Sequence, residues 1–126
     1  MKTNRPVWAW LFFLQLVLVV GASALATRGA LPTGLFRAPL DKVGHLGAYG
    51  LLAFFGVSFF GAARRWRVMG VLLLVSTLDE FSQRAFPTRT FDLGDLAMNV
   101  VGIVTLGSLA ARLLARPGHR RAAPVR

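Results

Sequence analysis

Residues 7–26, VWAWLFFLQLVLVVGASALA, form an apolar run without a charged residue. A helix needs about 20 such residues to cross the roughly 30 Å hydrocarbon layer of a membrane. Lys2 and Arg5 before the run, and Ala24-Leu25-Ala26 at its end, also fit a cleaved secretory signal. The run exceeds the apolar core of about 7 to 15 residues usual in such signals, so we expect a retained transmembrane helix and keep cleavage as the alternative.

Three further apolar stretches follow, at about 43–62, 68–86 and 93–114. The stretch at 93–114 is clear. His45 and Tyr49 interrupt the one at 43–62, and the one at 68–86 has an uninterrupted apolar core only from Val68 to Leu78. Short connections between four such helices are typical of an up-down bundle. The sequence therefore predicts one all-α membrane domain over residues 1–126, with four transmembrane helices including the one at 7–26.

The composition favours a lipid environment. Of the 126 residues 55% are hydrophobic and the mean hydropathy is +0.57, which is too apolar for an ordinary soluble domain. A net charge of +10 suggests nucleic acid binding in a soluble protein, but here the basic residues lie between apolar runs. The absence of cysteine excludes disulfides, zinc-thiolate sites and thiol catalysis. We expect membrane lipids as partners and no nucleic acid.

The distribution of Lys and Arg predicts the orientation. With the N-terminus inside, ten lie on the inner side, namely Lys2, Arg5, Arg64, Arg65, Arg67, Arg112, Arg116, Arg120, Arg121 and Arg126. Five lie in outer loops, namely Arg28, Arg37, Lys42, Arg84 and Arg89. Because inner loops carry the excess of basic residues, both termini and the basic tail at 116–126 are predicted to be cytoplasmic in a multi-pass protein of the inner (plasma) membrane.

Small residues predict close helix packing in two of the four helices. They are Gly44, Gly47, Gly50, Ala48 and Ala53 in the second, and Gly102, Gly107 and Ala111 in the fourth. Small side chains allow two helix backbones to approach each other within a membrane.

All five acidic residues lie in two short polar segments, and the first segment enters the second helix. Asp41, His45 and Tyr49 are spaced i, i+4 and i+8, so they share one helix face that descends into the membrane. Asp41 as a helix cap and Tyr49 as an interfacial anchor are the alternatives. His45, one turn into the helix, needs a polar partner there.

The second segment begins at the end of the third helix, where the helix dipole disfavours the anions Asp79 and Glu80. These acids need a cation, for which Arg89 and Lys42 are the candidates, and a buried acid without such a partner is expected to shift its pKa and become neutral. Glu80 and Gln83 are spaced i, i+3 and share a face. A purely structural Glu80 to Arg89 pair that closes the loop is the alternative.

The start of the fourth helix carries a further polar set. Asp92 is predicted to cap this helix, and Asp95 at its third position complements the positive end of the helix dipole. Asp95 and Asn99 are spaced i, i+4, with Gly102 on the same side. Asn99 lies deeper than a cap requires.

These polar residues are predicted to converge at the outer rim of the bundle. The candidate set is Asp41, Lys42, His45, Tyr49, Asp79, Glu80, Gln83, Arg89, Asp92, Asp95 and Asn99. Its cations suit a phosphate, and His45, Tyr49 and Glu80 are the candidates for general acid or base catalysis, without indicating a reaction. No ligand motif of the His-Glu-x-x-His kind is present, so neither a metal nor another cofactor is predicted.

The spacing of these residues resembles the VanZ-like family of small bacterial membrane proteins. The resemblance covers residues 39–107 and rests on Asp41-Lys42-x-x-His45-x-x-x-Tyr49, Asp79-Glu80-x-x-Gln83-x-x-x-Pro87-x-Arg89 and Asp92-x-x-Asp95-x-x-x-Asn99-x-x-Gly102. Thr88 departs from it, because glycine is expected before the arginine. The resemblance implies a multi-helix inner-membrane protein and, from the member that names the family, a link to tolerance of the glycopeptide teicoplanin. Some members carry a phosphotransbutyrylase label, which nothing in these residues supports.

Three classes of function follow. The leading hypothesis is an outward-facing site that binds an envelope lipid or an anionic headgroup, with a lipid-linked envelope precursor as one such ligand. The second is a membrane enzyme acting on a lipid-linked substrate. The third is a structural or assembly protein in which the polar residues only hold the helices together. The oligomeric state cannot be read from the sequence.

Overall fold

The computed structural model describes residues 4–31 and 39–115, and these ranges contain four α-helices and no strand. The helices are α1 (Arg5–Thr27), α2 (Leu40–Phe60), α3 (Arg65–Ser82) and α4 (Leu93–Ala115). The predicted all-α class is confirmed. The predicted basic tail at 116–126 lies outside the described residues, as do Lys2 and Arg37 of the charge count.

Consecutive helices run in opposite directions. Trp8, at the start of α1, packs on Phe54 and Phe55 in the second half of α2, with ring centroids 6.0 and 6.2 Å apart. At the other end of α1, Ser23 donates a hydrogen bond to Asp79, close to the end of α3. α1 is therefore antiparallel to α2 and parallel to α3, as an up-down arrangement requires.

α2 and α4 run side by side in the same direction and touch through two glycines. A Cβ on Gly50 would lie 3.2 Å from the Cα of Gly102, and one on Gly102 would collide with the carbonyl oxygen of Leu46. The predicted close approach is confirmed at this crossing. It is wrong for Gly44 and Gly47, where an added Cβ would meet no atom of the described residues within 4 Å.

The apolar core lies between α2, α3 and α4. Its larger cluster consists of Tyr49, Leu52, Ala53, Met69, Leu72 and Ile103, and a smaller one of Val57, Ala110 and Ala111 lies towards the ends of α2 and α4. α1 contributes no buried residue and packs mainly against α2.

Several helix boundaries differ from those predicted, since α2 and α3 begin three residues earlier, at Leu40 and Arg65, and also end earlier. α2 ends at Phe60 because Gly61 adopts φ +93°, a left-handed conformation that glycine adopts without a steric penalty. α3 ends at Ser82 and continues as a short 3-10 turn, Gln83–Ala85, before Pro87. The connections therefore begin earlier than hydropathy suggests.

Three of the four helices, α1, α2 and α4, are long and apolar enough to cross a membrane in the part of the chain that the structure describes. α3 is not among them, because its 18 residues include four charged ones, Arg65, Arg67, Asp79 and Glu80. These charges lie near its two ends, and its length of about 27 Å is close to the thickness of the hydrocarbon layer.

The bundle has two chemically different ends. The polar end comprises the ends of α1 and α3, the starts of α2 and α4, and the connection 83–92, and it carries all five acidic residues. The opposite, basic end carries Arg5, Arg64, Arg65, Arg67 and Arg112. The candidate residues predicted from the sequence all lie at the polar end.

Candidate functional site

His45 is the centre of a cluster between α2 and α4. Its Nε2 lies 3.7 Å from Oδ1 of Asp41 and 3.6 Å from Oδ2 of Asp95. Its Nδ1 lies 3.1 Å from Oδ1 of Asn99, whose side chain is fully buried and whose Nδ2 has no hydrogen-bond partner among residues 4–31 and 39–115. The two polar faces predicted on α2 and α4 thus meet at one histidine.

Lys42 links the start of α2 to the start of α4. Its Nζ donates to Oδ2 of Asp92 at 2.9 Å and to Oδ1 of Asp95 at 3.2 Å. The other oxygen of Asp92 accepts a hydrogen bond from the backbone N–H of Gly94 at 2.6 Å, which confirms its predicted capping role. The hydrogen bond from Lys42, together with that from Gly94, lowers the pKa of Asp92 below its usual value.

Asp41 does not cap α2. The capping position is occupied by Pro39, which makes no side-chain cap, and Asp41 lies inside the first turn. Its carboxylate faces His45 instead. The capping alternative for Asp41 is therefore wrong. Asp41 lies on the same face of α2 as His45, as its spacing predicted.

A hydrogen-bonded chain joins α1, α2 and α3. Asp79 accepts from the hydroxyl of Ser23 at 2.7 Å and from the hydroxyl of Tyr49 at 3.2 Å. Arg89 donates through NH1 to the same Ser23 oxygen at 3.0 Å. Tyr49 is therefore not an interfacial anchor but a buried member of this chain, since only 4% of it is exposed.

Glu80 is fully buried and both of its oxygens are occupied. Oε2 accepts from the side-chain amide of Gln83 at 2.9 Å, and Oε1 accepts from the backbone N–H of Asp92 at 3.2 Å. The predicted contact between Glu80 and Gln83 is confirmed. The predicted ion pair of Asp79 or Glu80 with Arg89 or Lys42 is wrong, because neutral donors satisfy both carboxylates.

Two adjoining cavities open beside these residues. The more polar one, of about 330 Å³, is lined by Ala26, Gly29, Leu31, Asp41, His45, Gln83, Thr88, Arg89, Thr90, Asp92 and Asp95. The more apolar one, of about 210 Å³, lies between α1 and α2 and includes Val19, Ala22, Leu40, Ala48 and Tyr49. They share four lining residues, Ala26, Asp41, His45 and Arg89, so the polar space continues into an apolar one.

The three candidates for catalysis differ in their access to these cavities. His45 lines both, and Tyr49 lines the apolar one. Glu80 lines neither and has no free carboxylate oxygen. The geometry assigns Glu80 to fixing the connection before α4, whereas His45 can meet a ligand.

α1 contributes two polar residues that the sequence analysis missed. Ser23 joins Asp79 to Arg89, and Gln15 donates to the backbone carbonyl of Ala48 at 3.0 Å. Gln15 and Ser23 are spaced i, i+8 and therefore lie on the same side of α1. This spacing was the signal in the sequence that they face the other helices. Thr88, where glycine was expected, donates to the carbonyl of Thr27 and ties the loop to the end of α1.

Comparison with known proteins identifies the family. A family model described as VanZ/LLP1 matches residues 4–115, a range that includes all four helices and the entire polar end. No curated protein and no solved structure matches the chain. The match confirms the resemblance drawn from the polar motifs. The chain belongs to the VanZ/LLP1 family.

Proposed function

We propose that this protein is a multi-pass protein of the inner membrane whose polar end faces the exported side and binds the headgroup of an envelope lipid. The observation that carries the proposal is the pair of adjoining cavities at the polar end. A polar space of about 330 Å³ is of the size that small ligands occupy in proteins. The apolar space that continues from it between α1 and α2 suits the first part of an acyl or prenyl chain.

Arg89 is the group that would recognise a phosphate. It lines both cavities, and its guanidinium is held in place by the Ser23 hydroxyl rather than by a carboxylate. A guanidinium without an anionic partner within 4.0 Å in the described residues retains its capacity for a phosphate. The nearby acids Asp41 and Asp92 suit hydroxyl or amine donors on the same headgroup.

The positive excess at the basic end supports the orientation. The described residues of that end carry no acid, so by the distribution of Lys and Arg it belongs on the cytoplasmic side. α3 crosses the membrane in this proposal, with its charged residues at the two interfaces, which completes four crossings and leaves both termini inside.

The chain has no cysteine, so single introduced cysteines report this topology cleanly. Ala63 and Ala85 are exposed and flank α3. With a membrane-impermeant maleimide, Ala85→Cys should be labelled in intact spheroplasts and Ala63→Cys only after permeabilisation. Equal labelling of both would refute the crossing of α3, and labelling of Ala63→Cys alone would refute the orientation.

The lipid proposal is tested by lipid retention in purified protein. Native mass spectrometry would measure binding of two probes, phosphatidylglycerol and a polyprenyl phosphate. Arg89→Gln should weaken binding about 10-fold or more, because it removes a charge-assisted hydrogen bond. A preference for the polyprenyl phosphate would connect the protein to lipid-linked envelope precursors, and hence to glycopeptide tolerance.

Arg84 provides the matched control in the same connection. Its guanidinium lies over the rings of Phe91 and Phe81, at 4.1 and 4.9 Å, and it lines neither cavity. Arg84→Gln removes the same charge and should leave lipid binding close to that of the original protein. Equal binding by both variants and the unmodified protein would overturn the proposal.

An enzyme acting on a lipid-linked substrate is the second candidate, and the exposure of His45 to both cavities favours it. In that case His45 would act as the base, because the oxygens of Glu80 are already occupied. Turnover of a lipid-linked substrate by purified protein, lost in His45→Ala, would establish the enzyme. Binding without turnover would leave the protein a lipid-binding one.

A further inference from the structure

We propose that Asp41, His45 and Asp95 bind a divalent first-row transition metal ion, such as Zn²⁺ or Mn²⁺. Each residue offers one ligand atom, and the three atoms lie within 4.8 Å of one another. The site shares Asp41 and the polar cavity with the proposed headgroup site, but the proposal itself depends only on contacts among side chains of α2 and α4.

The distances within this trio fit a shared cation better than direct hydrogen bonds. The two carboxylate oxygens lie 3.6 and 3.7 Å from Nε2 of His45, which is beyond the usual 2.7–3.2 Å of an N–H···O bond. Two ligands bound tetrahedrally at about 2.0–2.2 Å from a metal are about 3.3–3.6 Å apart. A small inward movement of these side chains would therefore complete a three-ligand site.

Asn99 directs the histidine for this role. Its Oδ1 accepts from the Nδ1–H of His45, which leaves Nε2 as the ring nitrogen that faces the two carboxylates. In the neutral ring Nε2 carries the lone pair that a metal binds, and metal binding releases any proton held there. Metal-binding histidines commonly donate their other ring N–H to a carbonyl or carboxylate oxygen in this way.

The amide group of Asn99 supplies a second observation at the same place. The side chain is fully buried, and in the part of the chain that the structure describes its Nδ2 has no hydrogen-bond partner, although its Oδ1 contacts His45. An unpaired buried donor is costly, so a group that completes this polar cluster is expected. The buried amide is therefore a second sign, next to the three proposed ligands, that a bound group completes this cluster.

The charges around the trio also favour a cation. Asp95 is 6% exposed, and Lys42 divides its single charge between Asp95 and Asp92. Asp41 has only His45 as an ion-pair partner in the described structure. A divalent ion would neutralise the remaining negative charge, while Lys42 would hold Oδ1 of Asp95 and leave Oδ2 free for the metal.

All three ligands line the polar cavity, so a bound ion would be reached from it. Three protein ligands leave at least one coordination position open, as in catalytic rather than structural zinc sites. The mixture of one imidazole and two carboxylates favours Zn²⁺ or Mn²⁺ over Mg²⁺ and Ca²⁺, which prefer oxygen ligands alone.

Isothermal titration calorimetry on the full chain, purified in detergent without a histidine tag and treated with chelator, tests the proposal. Zn²⁺ and Mn²⁺ should each bind at a single saturable site per chain, and Mg²⁺ should not compete at equal concentration. Asp41→Asn, His45→Gln and Asp95→Asn should each weaken binding by more than about 100-fold. Asn99→Ala should weaken it by about 10- to 100-fold, because it releases the histidine ring.

Two variants serve as controls. Glu80→Gln removes a nearby carboxylate that lines neither cavity and is not a proposed ligand, and His119→Ala removes the other histidine of the chain. Both should bind the metal as the unmodified protein does, and circular dichroism should show unchanged helix content in every variant. Absence of saturable binding, or equal weakening by Glu80→Gln, would overturn the proposal. So would retained binding in His45→Gln.

Discussion

Gly102→Ala is expected to separate α2 from α4 and disturb the histidine cluster. The new Cβ would lie 3.1 Å from both the backbone nitrogen of Gly50 and the carbonyl carbon of Leu46, and closer still to the Leu46 oxygen. These are backbone atoms of another helix and cannot be relieved by a rotamer change. The two helices must therefore move apart by several tenths of an ångström or more.

The size of the effect follows from this overlap. Overpacking in a well-packed core costs about 1–3 kcal/mol, and a collision with backbone belongs near the upper figure. Replacing a helical glycine by alanine also gains about 0.5–1 kcal/mol of helix stability. Gly47→Ala has the same gain without the collision, because an added Cβ there meets nothing within 4 Å. The difference between the variants isolates the packing cost, expected at about 1–3 kcal/mol.

The assay is reversible unfolding of both variants in mixed detergent micelles, followed by circular dichroism. The free energy of unfolding should fall for Gly102→Ala relative to Gly47→Ala. The nitrogen resonances of His45 should shift only in Gly102→Ala, because its 3.1 Å contact with Asn99 crosses the same interface one turn nearer the polar end. Equal stabilities of the two variants, with an unchanged His45 spectrum, would refute this packing.

Three further expectations concern the polar end. Glu80→Ala removes the acceptor of the Gln83 amide and of the Asp92 N–H, and should lower the free energy of unfolding by about 1–3 kcal/mol for each unpaired donor. Glu80→Gln keeps an acceptor oxygen and should lower it less in the same unfolding assay. Hydrogen bonds lower the pKa of Asp92, so this carboxylate contributes fully to stability above its ordinary pKa of 3.8 and loses that contribution as the pH falls through the lowered pKa. The free energy of unfolding of Asp92→Asn should therefore depend less on pH on the acid side. Identical pH profiles for the variant and the unmodified protein would contradict this. Since Ser23 connects Asp79 to Arg89, α1 should be retained, and intact-mass measurement of membrane-extracted protein should find no product lacking residues 1–26.

Contacts within one helix were predictable because helix geometry fixes them. The i, i+4 spacing of Asp41 and His45 and the i, i+3 spacing of Glu80 and Gln83 correspond to contacts in the structure. Small residues also indicated the close approach of α2 and α4. Gly44 and Gly47 are glycines like Gly50, yet an added Cβ at either would meet no described atom within 4 Å. Composition does not reveal which face of a helix meets its neighbour.

Contacts between helices were less predictable. The rotation of each helix about its axis decides that Lys42 reaches Asp92 and Asp95 rather than Glu80. Electrostatic reasoning favoured a cation as the partner of Asp79, yet hydroxyl groups from α1 and α2 donate hydrogen bonds to it. Ser23 was missed because it lies within the most apolar run of the chain, far in sequence from its partners.

An experimental structure of the protein with bound envelope lipid tests the central claim most directly. The account predicts a headgroup phosphate within about 3 Å of the Arg89 guanidinium, with the lipid chain entering the apolar cavity between α1 and α2. Lipids found only along the outer apolar surface of the helices, with the polar cavity occupied by water alone, would contradict it.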